Sequence, residues 1–406
     1  AKAGSEATSW LKSLAASELA GRGDAAARHL GVAAAVAVLC GNKLLLQSIQ
    51  CWAEAAVAEA LASRWSEAAS AVQLLRFTAE EAQRRMVAEG PVVCGARERH
   101  AAVRCCSDAS MILRNSAPSV AGALADLVIL GGRTHPPLRG EALRCLDAWL
   151  HLASVIWDPG GAEAMLEKLV GKLDFMAELV AAAPTDIDAA TVLAASTELA
   201  AATEKLGAAA HSILHSASAA AVSWWRCLAQ DEPENASQLT ARKMTGEMAT
   251  HWCLLLTALA PQLLALNVGL ELLSALLLLI SDTTRWPCEV REAALEPWSA
   301  LLIGDLAAAP SDPRASSQRG DDLKRLQVDL TKALVSGALQ AGSSGAESLR
   351  DRAVALLMEW RMTTFQDAVP GVVQAVLDGG GRGDTSIAEA ALFLLSISAP
   401  RICCRG

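Results

Sequence analysis

One pattern recurs along this chain and restricts its fold more than any other feature. The segment Leu138-Arg139-Gly140-Glu141-Ala142-Leu143-Arg144-Cys145-Leu146-Asp147-Ala148-Trp149 returns as Leu349-Arg350-Asp351-Arg352-Ala353-Val354-Ala355-Leu356-Leu357-Met358-Glu359-Trp360. The shared frame is Leu-Arg-x-x-Ala-(Leu/Val)-x-x-Leu-x-x-Trp. A third copy begins Val290-Arg291-Glu292-Ala293-Ala294-Leu295 and puts Trp298 at the final Leu position; a weaker fourth begins at Val103-Arg104, with Ser107 in the alanine slot. The first, fifth, eighth and twelfth positions share one face of an α-helix, so each copy is expected to bury an apolar stripe. The alanine lets a neighbouring helix approach closely. The arginine lies beside the stripe, where it can cap or bridge successive helices.

A buried stripe with a bridging arginine is the character of the second helix in a HEAT-type helical pair. The starts Val103 and Leu138 lie about 35 residues apart, and the interval to Val290 accommodates about four units at a period of roughly 40. The expectation is therefore an all-α chain, an α-solenoid of HEAT-like antiparallel helix pairs forming a superhelix, in which residues 1–406 make a single repeat array. Composition agrees. The chain has no tyrosine and 4 phenylalanines, which disfavours an all-β fold. Its hydrophobic fraction of 52% is enough to bury a large core, so disorder is not expected. Alanine is far above ordinary usage and is the best helix former.

Loops are expected at clusters of Gly, Pro, Asp and Ser: Gly21–Asp24, Gly90–Pro91, Gly131–Pro137, Asp158–Gly161, Ala183–Asp186, Asp231–Asn235, Ala309–Asp322, Gly342–Gly345 and Gly379–Asp384. The longest polar stretch, within 309–322, reads as an insertion loop. Trp252–Ile280 is nearly all apolar and long enough to cross a bilayer, but Pro261–Gln262, Asn267, Gly269 and Glu271 interrupt it. It is expected to form two buried helices of a hairpin, with no membrane span. The start at Ala1–Gly4 shows no secretory signal pattern. The 11 cysteines form no CxxC pair, so they read as reduced thiols serving mostly as small buried apolar groups.

Signals for chemistry are few. His211 and His215 have the i, i+4 spacing of a metal pair but no HExxH glutamate and no third ligand. Gly379-Gly380-Gly381-Arg382-Gly383 lacks the strand–loop–helix frame of a phosphate loop. Arg382-Gly383-Asp384 and the sequon Asn235-Ala236-Ser237 carry meaning only outside the cytosol. No enzyme activity, metal or cofactor is expected. Of Trp224 and Trp225, one is expected in the core and the other half exposed, because helical neighbours face different directions. The net charge of −9 and the pI of about 5.4 disfavour direct nucleic-acid binding and favour basic partners.

Several segments, in order, resemble the transportin-3/importin-13 branch of the importin-β nuclear transport receptors. Ala7-Thr8-Ser9-Trp10-Leu11-Lys12-Ser13-Leu14-Ala15-Ala16-Ser17 is similar to that family's opening helix. Leu143–Leu152 is similar to its Arg-Cys-Leu-x-x-Trp helix. Arg285–Trp298 is similar to its His-Pro-x-x-Glu-Val element, and Leu349–Trp360 with Ile387-Ala388-Glu389-Ala390-Ala391-Leu392-Phe393 to the landmark that follows. The resemblance covers most of this chain and about the N-terminal half of such a receptor. It departs after Ser17, where Gly21–Asp24 leads into a helix near Ala25 that resembles a later repeat, so the first repeats are expected to be incomplete near 18–25.

The resemblance implies a nuclear import receptor that carries protein cargo, including Arg/Ser-rich cargo, on a concave face and binds Ran-GTP through its first repeats. The incomplete first repeats count against Ran-GTP. Nucleoporins are further implied partners, and the implied location is nucleus and cytoplasm. The alternative is a generic HEAT-repeat scaffold without a Ran cycle. On the helix at Val290–Trp298 the buried stripe uses Val290, Ala294 and Trp298. Glu289, Glu292 and Glu296 fall off that stripe and are the expected protein-binding carboxylates, placed to attract a basic surface.

Overall fold

A computed structural model describes residues 44–88, 96–156, 159–203, 206–229, 238–266 and 268–305, together with individual helical residues between 326 and 356. Every regular element among them is helical, and no strand occurs among the described residues. The protein is all-α over this range. The expected incomplete repeats at 18–25 and insertion at 309–322, the Asn235 sequon, Gly379–Asp384 and the similar segments at Ala7–Ser17 and Ile387–Phe393 lie outside the described residues, as does Trp360.

The chain divides into two compact units, 1–220 and 221–406. In the first unit, α1 (Leu44–Leu61) buries Ile49, Trp52, Ala53, Ala56 and Ala60, a stripe at helical spacing. It ends where Ser63 adopts a left-handed backbone, φ 58. The Arg64 N–H reaches back to the Glu59 carbonyl at 2.9 Å, and the Ser63 N–H to Ala60 at 3.0 Å. That is a Schellman stop, with serine in the place glycine prefers. The chain then enters α2 (Trp65–Ala88), α3 (Ala96–Thr134), α4 (Pro136–Ile156), α5 (Pro159–Val170), α6 (Leu173–Ala182) and α7 (Ile187–Ala202). Helix α1 packs on α2 and α3, α2 on α4, α3 on α4 and α5, and α4 on α7. These contacts join helices one to three places apart in sequence. α8 (Ala208–Ala229) follows, and the division between the units falls within it.

Helix α4 carries the first copy of the recurring pattern, and the stripe is buried as expected: Leu138, Ala142, Cys145 and Trp149 are each 0% exposed. Full burial of a leucine-sized side chain stabilises by about 1.5–3 kcal/mol, so this one face anchors α4 between α2, α3 and α7. Two expected loops are corrected by the structure. α3 runs through Gly131–Thr134 and breaks only at His135, because Pro136 and Pro137 fit the first turn of α4, where their missing N–H groups have no helical partner to lose. Likewise α5 opens at Pro159 and takes in Gly160–Gly161. Gly131 is needed where it is: a Cβ there would lie 2.8 Å from the Arg139 backbone nitrogen.

In the second unit, α9 (Gln238–Leu259) ends in a 3-10 turn, Ala260–Ala265, and α10 (Gly269–Ser281) follows. The long apolar stretch is thus split where Pro261 and Gly269 were expected to split it. No helix among the described residues is long and apolar enough to cross a membrane. The hairpin expectation is corrected, because α9 packs chiefly on α11 (Cys288–Ala293) and α12 (Glu296–Asp305) rather than on α10. The third copy, read as one helix, is in fact α11 and α12 with a turn at Ala294–Leu295. Pro297 supplies no N–H to the Ala293 carbonyl, and its ring obstructs continuous helix there. The buried stripe survives the break: Val290 is 1% exposed, Ala294 and Trp298 0%. In the copy that begins at Leu349, Leu349, Ala353 and Leu356 are buried as well.

Candidate functional site

The motif arginine behaves differently in the two copies where its side chain is described. Arg139 on α4 lies beside the stripe and points its guanidinium at Glu178 on α6 (3.4 Å) and at Asp186 in the turn before α7 (3.7 Å). This is the bridging role expected of it. Arg291, expected at the margin of its stripe, is 2% exposed. Its Nε donates to the Ile280 carbonyl at 3.1 Å, capping the C-terminal turn of α10. Burial pulls its pKa below the ordinary arginine value.

Around Arg139 the first unit carries an open groove of about 770 Å3, lined by Arg139, Glu178, Thr185, Asp186, Ile187 and Asp188. Asp186 is the N-cap of α7, accepting from the backbone N–H of Asp188 (2.9 Å) and Ala189 (3.2 Å). Asp188 receives Arg144 Nη1 at 2.9 Å, and Arg144 Nη2 donates to Glu141 at 2.9 Å. Glu141, only 7% exposed, also faces Arg76 of α2 at 3.2 Å. One chain of alternating charge thus runs from α2 through α4 to α7. Burial pushes the Asp188 carboxyl up, with Arg144 working against it. Burial also opposes the Arg144 charge, but Glu141 and Asp188 outweigh it and hold that guanidinium above its ordinary value. The groove holds more carboxylates than cations and a half-exposed Ile187, a lining suited to a basic side chain with an apolar stem.

The three carboxylates expected to bind a partner do not share one environment. Glu289 is exposed on α11. Glu292 accepts from Ser348 Oγ at 2.8 Å and pairs with Arg352 Nε at 2.9 Å. Glu296, at the start of α12, pairs with the same guanidinium. The structure therefore brings Glu292 and Glu296 together around an arginine of the next copy and leaves Glu289 to solvent. Sequence reasoning missed this contact because it lies 56 residues away along the chain. It also missed the groove, whose only signal was Asp186 before an apolar helical run.

The other marked residues fall as follows. His211 and His215 are both exposed on α8. Trp224 is 1% exposed, while Trp225 is half-buried and stacks on Trp252, ring centroids 5.3 Å apart. Trp252 in turn donates to the Ala221 carbonyl at 2.9 Å. Burial pushes the Cys145 and Cys253 thiols up, which suits small apolar fillers. Cys51 and Cys227 are exposed, against the expectation for most cysteines, because both sit off the buried stripe of their helix. Set against known proteins, the chain matches no family model, no curated protein and no solved structure.

Proposed function

We propose that this chain is a nuclear-import-receptor-like protein of the karyopherin type, a binding protein built as a HEAT-like α-solenoid. The observation that carries the solenoid reading is the packing in the first unit, where α1, α3 and α5 follow one another in contact, as do α2, α4 and α7. Stacked antiparallel helix pairs produce this alternation, since each repeat touches only its neighbours. The recurring pattern supports it, with Arg139 tying α4 to the following elements. The transport reading rests on the ordered resemblance to the importin-β receptors. In it, protein cargo with basic, Arg/Ser-rich segments meets an acidic surface that includes Glu289, and Ran-GTP binding in the nucleus releases that cargo.

The second reading is a repeat scaffold without a Ran cycle. It is favoured by the engagement of Glu292 and Glu296 with Arg352, which leaves fewer carboxylates for a partner. A pull-down of the full chain against Ran-GTP and Ran-GDP separates the two. Selective capture of the GTP form, weakening with salt as charge-steered association does, supports the receptor. Capture that ignores the nucleotide, or none, favours the scaffold.

A further inference from the structure

We infer that Ser348 is a phosphorylation site that controls a latch between the copy of the recurring pattern that begins at Leu349 and α11–α12. Ser348 is exposed, and its hydroxyl donates to Glu292 Oε1 at 2.8 Å. One turn later, Arg352 holds the same carboxylate at 2.9 Å and also engages Glu296. These contacts join a described helical segment to α11–α12 across a stretch that reads, by sequence, as rich in loop-forming residues (Gly342-Ser343-Ser344-Gly345). Arg350 and Arg352 follow the serine at its second and fourth positions, a basic context that suits a kinase with an acidic substrate cleft.

The step is an ordinary phosphoryl transfer from a nucleoside triphosphate. The Ser348 Oγ–P bond forms, the bond from the γ-phosphorus to the β-bridging oxygen breaks, and the nucleoside diphosphate leaves. The hydroxyl proton passes to the kinase's base. The product inverts the contact. A donor that satisfied Glu292 becomes a group of charge about −2 set against a carboxylate. The phosphate also lies four residues before Arg352, so it competes with Glu292 and Glu296 for that guanidinium. Both effects release the latch, and they free two carboxylates on the α11–α12 surface.

The test uses the full chain incubated with ATP and a basophilic serine/threonine kinase, with phosphate located by mass spectrometry and amide exchange followed over residues 349–356. Ser348 is expected to take phosphate, and exchange across that segment should quicken at least about fivefold as local opening becomes easier. Ser348→Glu should reproduce the change, and Ser348→Ala should produce much less of it. A chain left unphosphorylated at Ser348 overturns the proposal. So does a Ser348→Glu variant no different from Ser348→Ala.

Discussion

Gly269 and Gly246 lie in the same unit, and the structure predicts opposite results from the same substitution. Replacing a helical glycine with alanine ordinarily stabilises, by about 0.5–1 kcal/mol, because alanine loses less freedom on folding. At Gly246, inside α9, an added Cβ would meet Val290 Cγ2 at 3.7 Å and Pro287 Cγ at 3.9 Å, ordinary contacts with room for the methyl. Gly246→Ala should therefore gain about that amount plus a little apolar burial. At Gly269, the first residue of α10, the same Cβ would sit 1.7 Å from the Leu263 carbonyl oxygen and 2.7 Å from its carbon. The obstacle is backbone rather than a flexible side-chain tip. The Gly269 N–H also reaches the Leu266 carbonyl at 3.0 Å, which ties the two strands of this turn together. Relieving the overlap means moving the 3-10 turn away from α10. Overpacking of this kind costs about 1–3 kcal/mol, occasionally more, which exceeds the propensity gain. For a unit of this size each kcal/mol shifts Tm by about 2–4 °C. Gly269→Ala should melt below the parent by several degrees, and Gly246→Ala at or above it. Thermal denaturation of the full chain and urea unfolding, run on both variants, provide the measurement. A Gly269→Ala variant as stable as the parent, or a Gly246→Ala variant less stable than Gly269→Ala, would refute the close approach between Leu263 and α10.

Further outcomes follow from other contacts. Ala294, fully buried between α11 and α12, leaves no space for a large side chain, so Ala294→Phe should cost about 1–3 kcal/mol in chemical denaturation. Ser63→Gly should stabilise by about 0.5–1 kcal/mol, because the left-handed backbone at φ 58 suits glycine better than serine; a loss of stability would disprove the stop described for α1. Non-additivity of about 0.5–3 kcal/mol is expected between Arg139→Met and Asp186→Asn, and strict additivity would remove the bridge from α4 to the α7 turn. A hydrogen bond donated by its ring to the Asp147 carboxylate raises the pKa of His151 to about 9. A folded value above the unfolded one, near 6.5, means the charged pair contributes most below about pH 6.5 and loses its contribution as pH climbs through about 9. The half-exposed side chain keeps this effect modest, but the stability gap between the parent and Asp147→Asn should close over that window, and a gap constant with pH would contradict it.

How far the fold could be read from residues alone depends on the reach of each interaction. Leu138, Ala142, Cys145 and Trp149 were identifiable as a buried face because burial of a stripe follows from the helical period of one segment. Trp224 against Trp225, and the division of the apolar stretch near Pro261, rest on equally local geometry. Breaks decided by competition were less legible. Gly131–Thr134 contains loop-forming residues, yet it stays helical because α3 packs on α4 at Gly131 with no Cβ in the way. Val290–Trp298 looks continuous by period, yet Pro297 divides it, and the stripe remains buried across the turn.

The carboxylates mark the boundary most clearly. That Glu289, Glu292 and Glu296 lie off the apolar face is a property of their spacing, and it holds in any helical fold of this sequence. Their separate fates are not. Glu292 and Glu296 meet Arg352, and Glu292 meets Ser348, only because folding carries a distant segment onto α11 and α12. Arg291 shows the same limit: its place in the pattern matches that of Arg139, but α10 lies over it and turns a marginal arginine into a buried cap for Ile280. A helix's periodicity specifies which face is apolar, since that depends on neighbours three and four residues away. Which charge answers which is settled by contacts between segments dozens of residues apart, and no local pattern encodes that distance.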